Sequence, residues 1–200
     1  DMSYDYDVHP YFEGYLKGEN TFKRLVEELK RQESVYPENY IKLRNLENHD
    51  FGRFTPMVKS NIDKVNNWTS LVFFLKGCTM IYAGQERLDT NRPDLFEVDP
   101  VNWSGQDISP LISTLSSIVK DDAFSRGVYN IRITDLDLFV GEYKYNQERY
   151  IGIFNVGLET GEFDISIPDG DYKNLIDDIN LKVKNGYMKI TNKPIIIKVK

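Results

Sequence analysis

These 200 residues predict an α/β region over residues 1–122 and an all-β antiparallel sandwich over residues 123–200. Up to about residue 120, helix-period segments alternate with strand-like ones, the pattern of a parallel α/β arrangement. Within that region Cys78 to Ala83 is a nearly all-apolar run bounded by Gly77 and Gly84, as suits a strand covered on both faces. Beyond Gly127 only short alternating segments appear, about eight of them, separated by turn signals.

Asn20 or Thr21 can cap a first helix with Phe22, Leu25, Val26 and Leu29 on one face and Glu27, Glu28, Lys30 and Arg31 opposite. Pro37 closes it. Tyr40 to Leu46 reads as a strand with Ile41, Leu43 and Leu46 inward. A second helix over Asn61 to Lys76 carries Val65, Trp68, Val72 and Leu75 on one stripe, and Gly77 stops it. Cys78 reads as a small buried hydrophobe. A third helix over Ile108 to Lys120 aligns Leu111, Ile112, Leu115, Ile118 and Val119. The sandwich strands are Val128–Ile133, Leu136–Tyr145, Arg149–Val156, Glu162–Ile167, Tyr172–Ile176, Ile179–Val183, Tyr187–Ile190 and Pro194–Val199. Asn185-Gly186 is the clearest hairpin turn.

Composition excludes several classes. Lys and Arg number 25 against 31 Asp and Glu, a net charge of −6, and no basic run is present. That argues against nucleic acid and against anionic membrane as partners. No stretch approaches the roughly 18 to 20 apolar residues of a membrane span. One cysteine permits neither an internal disulfide nor a cysteine-based zinc cluster. The chain opens on Asp1-Met2, so the expectation is a parent that begins upstream, together with any targeting signal. The compartment stays open, leaning to the cytoplasm.

The chemistry-bearing residues lie after the Tyr40–Leu46 strand. Asn48-His49-Asp50 by itself is compatible with a polar loop and helix cap. In context, Glu47-Asn48-His49-Asp50-Phe51-Gly52-Arg53 resembles the seventh-strand motif of the α-amylase superfamily. About thirty residues on, Thr79-Met80-Ile81-Tyr82-Ala83-Gly84-Gln85-Glu86 resembles the eighth-strand segment. Arg92-Pro93-Asp94-Leu95-Phe96-Glu97 and Trp103 resemble the loop that follows. Tyr4-Asp5-Tyr6-Asp7 is similar to the stretch after the sixth strand. Pro168-Asp169-Gly170-Asp171-Tyr172 and Asn174-Leu175-Ile176-Asp177 look like the family's terminal β-domain.

The resemblance implies the sixth to eighth units of a (β/α)8 TIM barrel plus the C-terminal β-sandwich domain, in a C-terminal fragment of a retaining α-glycosidase. Retaining chemistry needs a nucleophile and an acid/base carboxyl. In the family both precede this segment, and no residue here is assigned to either role, so the chain alone is expected to be inactive. Asp50 matches the third family carboxylate, which stabilises the transition state. His49 matches a sugar-binding residue. Arg53 and Arg92 are further substrate-binding candidates, Arg53 by orienting Asp50 or the neighbouring loops. No metal site or cofactor is evident, and calcium in the parent stays open. The implied substrate is an α-glucan or α-gluco-oligosaccharide. Competing readings are a transglycosylase or isomerase of the family, or a non-catalytic carbohydrate-binding or interaction module. Tyr4, Tyr6, Tyr11, Phe12 and Tyr15 form an aromatic-rich stretch suited to core, interface or sugar stacking. His9 reads as a loop histidine. Barrel edges left unpaired predict self-association.

Overall fold

The first strand is only three residues long, yet it sets the site. A computed structural model describes residues 2–199, running from β1 (Met2–Tyr4) through α1 (His9–Leu16), α2 (Phe22–Val35), β2 (Ile41–Arg44), α3 (Phe54–Met57) and α4 (Ile62–Phe74) to β3 (Cys78–Thr79). After a single 3-10 turn at Gln85–Arg87 come α5 (Ser109–Ile118) and α6 (Asp122–Arg126). Eight strands complete the described residues: β4 (Val128–Arg132), β5 (Phe139–Tyr145), β6 (Glu148–Phe154), β7 (Glu162–Asp164), β8 (Gly170–Lys173), β9 (Asn180–Lys184), β10 (Tyr187–Lys189) and β11 (Ile195–Val199). No described helix is long and apolar enough to cross a membrane.

β1, β2 and β3 pair in parallel, in that order. Of the helices between them, α2 and α4 form as their patterns predict, while α1 and the short α3 are additional. Thr21 caps α2 by accepting the Arg24 N–H, and Asn61 caps α4 by accepting the Lys64 N–H. Phe22, Leu25, Val26 and Leu29 of α2 and Val65, Trp68 and Val72 of α4 are all buried in one core. Glu28, expected on the open face of α2, is buried as well, because Arg24 and Arg31 both bridge to it at 2.6 Å.

Three expectations for the parallel region need correction. In β2 the buried residues are Lys42 and Arg44, while Ile41 is 45% exposed. The alternation is right and its sense is reversed, because the buried face finds counter-charges. Lys42 Nζ lies 2.9 Å from Asp7, and Arg44 Nη1 pairs with Asp5 and with Gln32 Oε1 at 2.8 Å. Burying two cations is tolerable only with such partners. The expected strand over Cys78 to Ala83 is two residues long, extended by one hydrogen bond from Met80 N–H to Arg44 O. Cys78 is exposed, not buried.

The eight later strands form two antiparallel four-stranded sheets, β7-β10-β9-β8 and β11-β6-β5-β4. Their facing sides bury Val140, Ile151, Ile153 and Ile197 against Phe163, Ile165, Val183 and Met188. The β9–β10 turn places Asn185 at φ 54° and Gly186 at φ 79°, the left-handed pair that a two-residue hairpin demands. The other side of β11-β6-β5-β4 is covered too. Phe74 of α4 lies on Gly141 and Gly152, which pair across β5 and β6. A Cβ on Gly141 would meet Phe74 at 3.0 Å and one on Gly152 at 2.8 Å, so both must stay bare. The sandwich therefore shares a core with the helices before it. Asn67 reinforces the junction, accepting the Asn155 N–H at 2.7 Å and donating to Asn192 O at 2.6 Å.

Candidate active-site loop after the second parallel strand

The backbone from Leu46 to Arg53 leaves the C-terminal end of β2, where barrel-type sheets carry functional groups. Asn48 shapes it. Its Oδ1 accepts the N–H of Asp50 at 2.8 Å and of Phe51 at 2.9 Å, turning the chain so that His49 and Asp50 project outward. Their side chains are 55% and 49% exposed, and His49 Nε2 lies 3.4 Å from Asp50 Oδ1. The phenol of Tyr6, at the end of the stretch that follows β1, donates to Asp50 Oδ2 at 3.2 Å. The structure thus brings His49 and Asp50 together on the open side of the loop.

Arg53 sits differently. It is buried, and its donors are taken by protein: Nη1 gives to Glu47 Oε1 at 2.7 Å and Ala83 O at 2.8 Å, Nη2 to Asp89 Oδ2 at 3.1 Å, and Nε to Asn91 O at 3.0 Å. The guanidinium also lies 4.9 Å from the Tyr82 ring. It locks the loop after β2 to the loop after β3, and the framework holds it away from solvent. Glu47 completes the lock, its Oε2 accepting the Phe54 N–H at 2.7 Å. Burial raises the Glu47 carboxyl, against the pull of that N–H and of Arg53. Arg92 is exposed on the residue after Asn91, whose carbonyl Arg53 holds. Glu86, at the 3-10 turn, accepts the Gly84 N–H at 2.9 Å.

His9 opens α1 instead of lying in a loop, and stacks on Phe51 with ring centroids 3.5 Å apart. Burial pushes its imidazole below the usual histidine range. Of the aromatic stretch, Phe12 is buried, Tyr15 donates to Asp137 at 2.9 Å, and Tyr4 and Tyr6 stand exposed beside the loop. Sequence alone assigns no role to Glu47 or Asp89, and it reads Tyr6 only as one of an aromatic stretch suited to core, interface or sugar stacking, not as a partner of Asp50. Glu47 was visible as the first residue of the motif, whereas Asp89 and Tyr6 reach the loop from distant positions. Among the described residues no group of three or more His, Cys, Asp or Glu is placed to hold a metal ion.

Parallel strands feeding this loop, followed by an antiparallel sandwich, define the class, and comparison with known proteins agrees. Residues 130–197 match the family model described as the bacterial alpha amylase C-terminal domain. A crystal structure of an alpha-amylase from Lactobacillus plantarum is 30% identical, with a TM-score of 0.94 over 100% of this chain and 48% of its own. A maltogenic alpha-amylase, AmyB, from Thermotoga neapolitana is 26% identical, with a TM-score of 0.84 over 99% of this chain and 50% of its own. The fold extends to AmyP, solved in complex with maltose, at 15% identity and a TM-score of 0.75 over 98% of this chain and 49% of its own. No curated protein matches. Over residues 130–197 the chain matches the bacterial alpha amylase C-terminal domain, along its whole length it resembles solved alpha-amylases, and it spans about half the length of these relatives.

Proposed function

We propose that the chain supplies the transition-state-stabilising carboxylate, Asp50, to the active site of a retaining α-glycosidase of the α-amylase type. His49 adds a donor to the same sugar, and Arg92 reaches toward it from the adjoining loop. The substrate is an α-glucan or α-gluco-oligosaccharide, consistent with the maltose held by the structural relative AmyP. The nucleophile and the acid/base belong to the longer enzyme that carries this chain. One observation supports the reading above others. Asp50 is a half-exposed carboxylate beyond the C-terminal end of a parallel strand, held by a phenol and a turn, with His49 Nε2 3.4 Å away and, among the described residues, no Lys or Arg salt bridge to it. Such a group can accept sugar hydroxyls whose hydrogen bonds strengthen as the ring flattens toward an oxocarbenium-like state.

On this reading the purified chain has no glycosidase activity. Assays on starch, maltotriose and an aryl α-glucoside should show turnover no higher than an empty-vector preparation. Turnover that Asp50→Ala abolishes would mean a complete site lies within these residues, and turnover that survives it would place the site elsewhere in the chain.

The uncovered face of the parallel sheet gives a second expectation. Met2, Tyr4 and Ile41 are exposed there at 54%, 47% and 45%. Apolar groups on an open sheet favour pairing with a second copy. Size-exclusion chromatography with light scattering should show association at tens of micromolar, and a strict monomer would count against it.

A further inference from the structure

Tyr6 has a place that neither its sequence context nor the function proposed above assigns. It lies between two carboxylates that point the other way. Asp5 pairs with Arg44 and accepts from Gln32 Nε2 at 2.7 Å; Asp7 accepts from the same Nε2 at 3.0 Å, from Lys42 Nζ at 2.9 Å and from the Tyr36 hydroxyl at 3.1 Å. Lys42 in turn lies 4.2 Å from the Tyr36 ring centroid. After β1 the chain turns into α1, with the Val8 and His9 N–H groups donating to Asp5 O. Asp5 and Asp7 are held toward α2 within that turn, and Tyr4 and Tyr6 stand on the open side, 47% and 46% exposed. There the two rings stack, with centroids 5.2 Å apart and planes 10° apart, and Phe51 meets Tyr6 edge-on at 5.6 Å. Ring position is thus set from three directions, and the phenol reaches Asp50 Oδ2. This also explains why a sheet would bury Lys42 and Arg44: they fix the residue on either side of Tyr6.

We propose that Tyr6 is a positioning residue for Asp50, holding one carboxylate oxygen and leaving the other to the sugar. The inference rests on the transition-state role proposed above for Asp50. A carboxylate with both oxygens loose would spend binding free energy on its own ordering, and a fixed acceptor does not. The phenol is held above its ordinary value, first by burial and then by the bond to Asp50 and its charge, as this pairing requires.

Two measurements test it. In the longer enzyme, Tyr6→Phe keeps the ring contacts and removes one hydrogen bond to a charged group. It should lower kcat about 10-fold while KM moves by less than about 2-fold. The same change made on Asp50→Asn should cost nothing further, because the two residues act as a unit. An equal loss in both backgrounds, or an unchanged kcat in Tyr6→Phe beside a collapsed Asp50→Asn, would overturn the positioning role. A harmless Asp50→Asn would instead remove the reading of Asp50 itself. In the 200-residue chain, ring-labelled tyrosine NMR should show the Tyr6 phenol titrating above the ordinary phenol value and moving down in Asp50→Asn. A Tyr6 titration that ignores Asp50→Asn would show that the two groups do not pair.

Discussion

Asp50→Asn is expected to lower kcat of the longer enzyme by about 100-fold or more, with KM far less affected. The substitution preserves size and the Asn48 turn, since Oδ1 of Asn48 bonds backbone N–H groups and not the Asp50 side chain. What it removes is the negative charge that the proposal places against the sugar. A charge that contributes mainly as the substrate becomes cationic shows its loss in the chemical step. A lost charged hydrogen bond of that kind is worth roughly 3 kcal/mol. His49→Ala should cost less, because it removes a donor and leaves the fixed charge in place. Steady-state kinetics on maltotriose would separate the two parameters, and a near-normal kcat in Asp50→Asn would end the assignment.

Arg53→Ala should destabilise the chain strongly, by about 3–5 kcal/mol. Its guanidinium is 5% exposed and lies between Glu47 at 1% and Asp89 at 2%. Removing it strands two buried carboxylates and frees the carbonyls of Ala83 and Asn91. Arg53→Lys should rescue little, because an ammonium cannot supply the same planar fork to four acceptors. Urea denaturation of the chain would read the loss directly. A change under about 1 kcal/mol for Arg53→Ala would show that the two loops do not depend on this lock.

Legibility in the sequence followed the range of the interactions. α2 and α4 were readable because their apolar stripes and Thr21 or Asn61 caps are local signals. The eight sandwich strands were readable because alternation and turn residues are local too. β1 was missed: three residues cannot show a period, and its one tyrosine, Tyr4, stacks on Tyr6 outside the core. α1 was missed although Pro10 in its first turn is a start signal; the surrounding aromatics hid it. The sense of β2 was misread since Lys42 and Arg44 are paid for by Asp7 and Asp5, more than thirty positions away. His49 and Asp50 stood out through the order and spacing of motifs around them. The pairing of Tyr6 with Asp50 did not, because it crosses 44 positions, and no pattern in one sequence reports a contact that distant.

The most direct test compares two ligands on the longer enzyme, before and after Asp50→Asn. One is maltose, a ground-state sugar; the other is an iminosugar-capped malto-oligosaccharide that carries positive charge where the oxocarbenium forms. Isothermal titration should show the iminosugar weakened about 100-fold and maltose changed by less than about 3-fold, since the proposed role has Asp50 bind the transition state better than the ground state. Equal weakening of both ligands would make Asp50 an ordinary binding residue, and no weakening of either would place it outside the site.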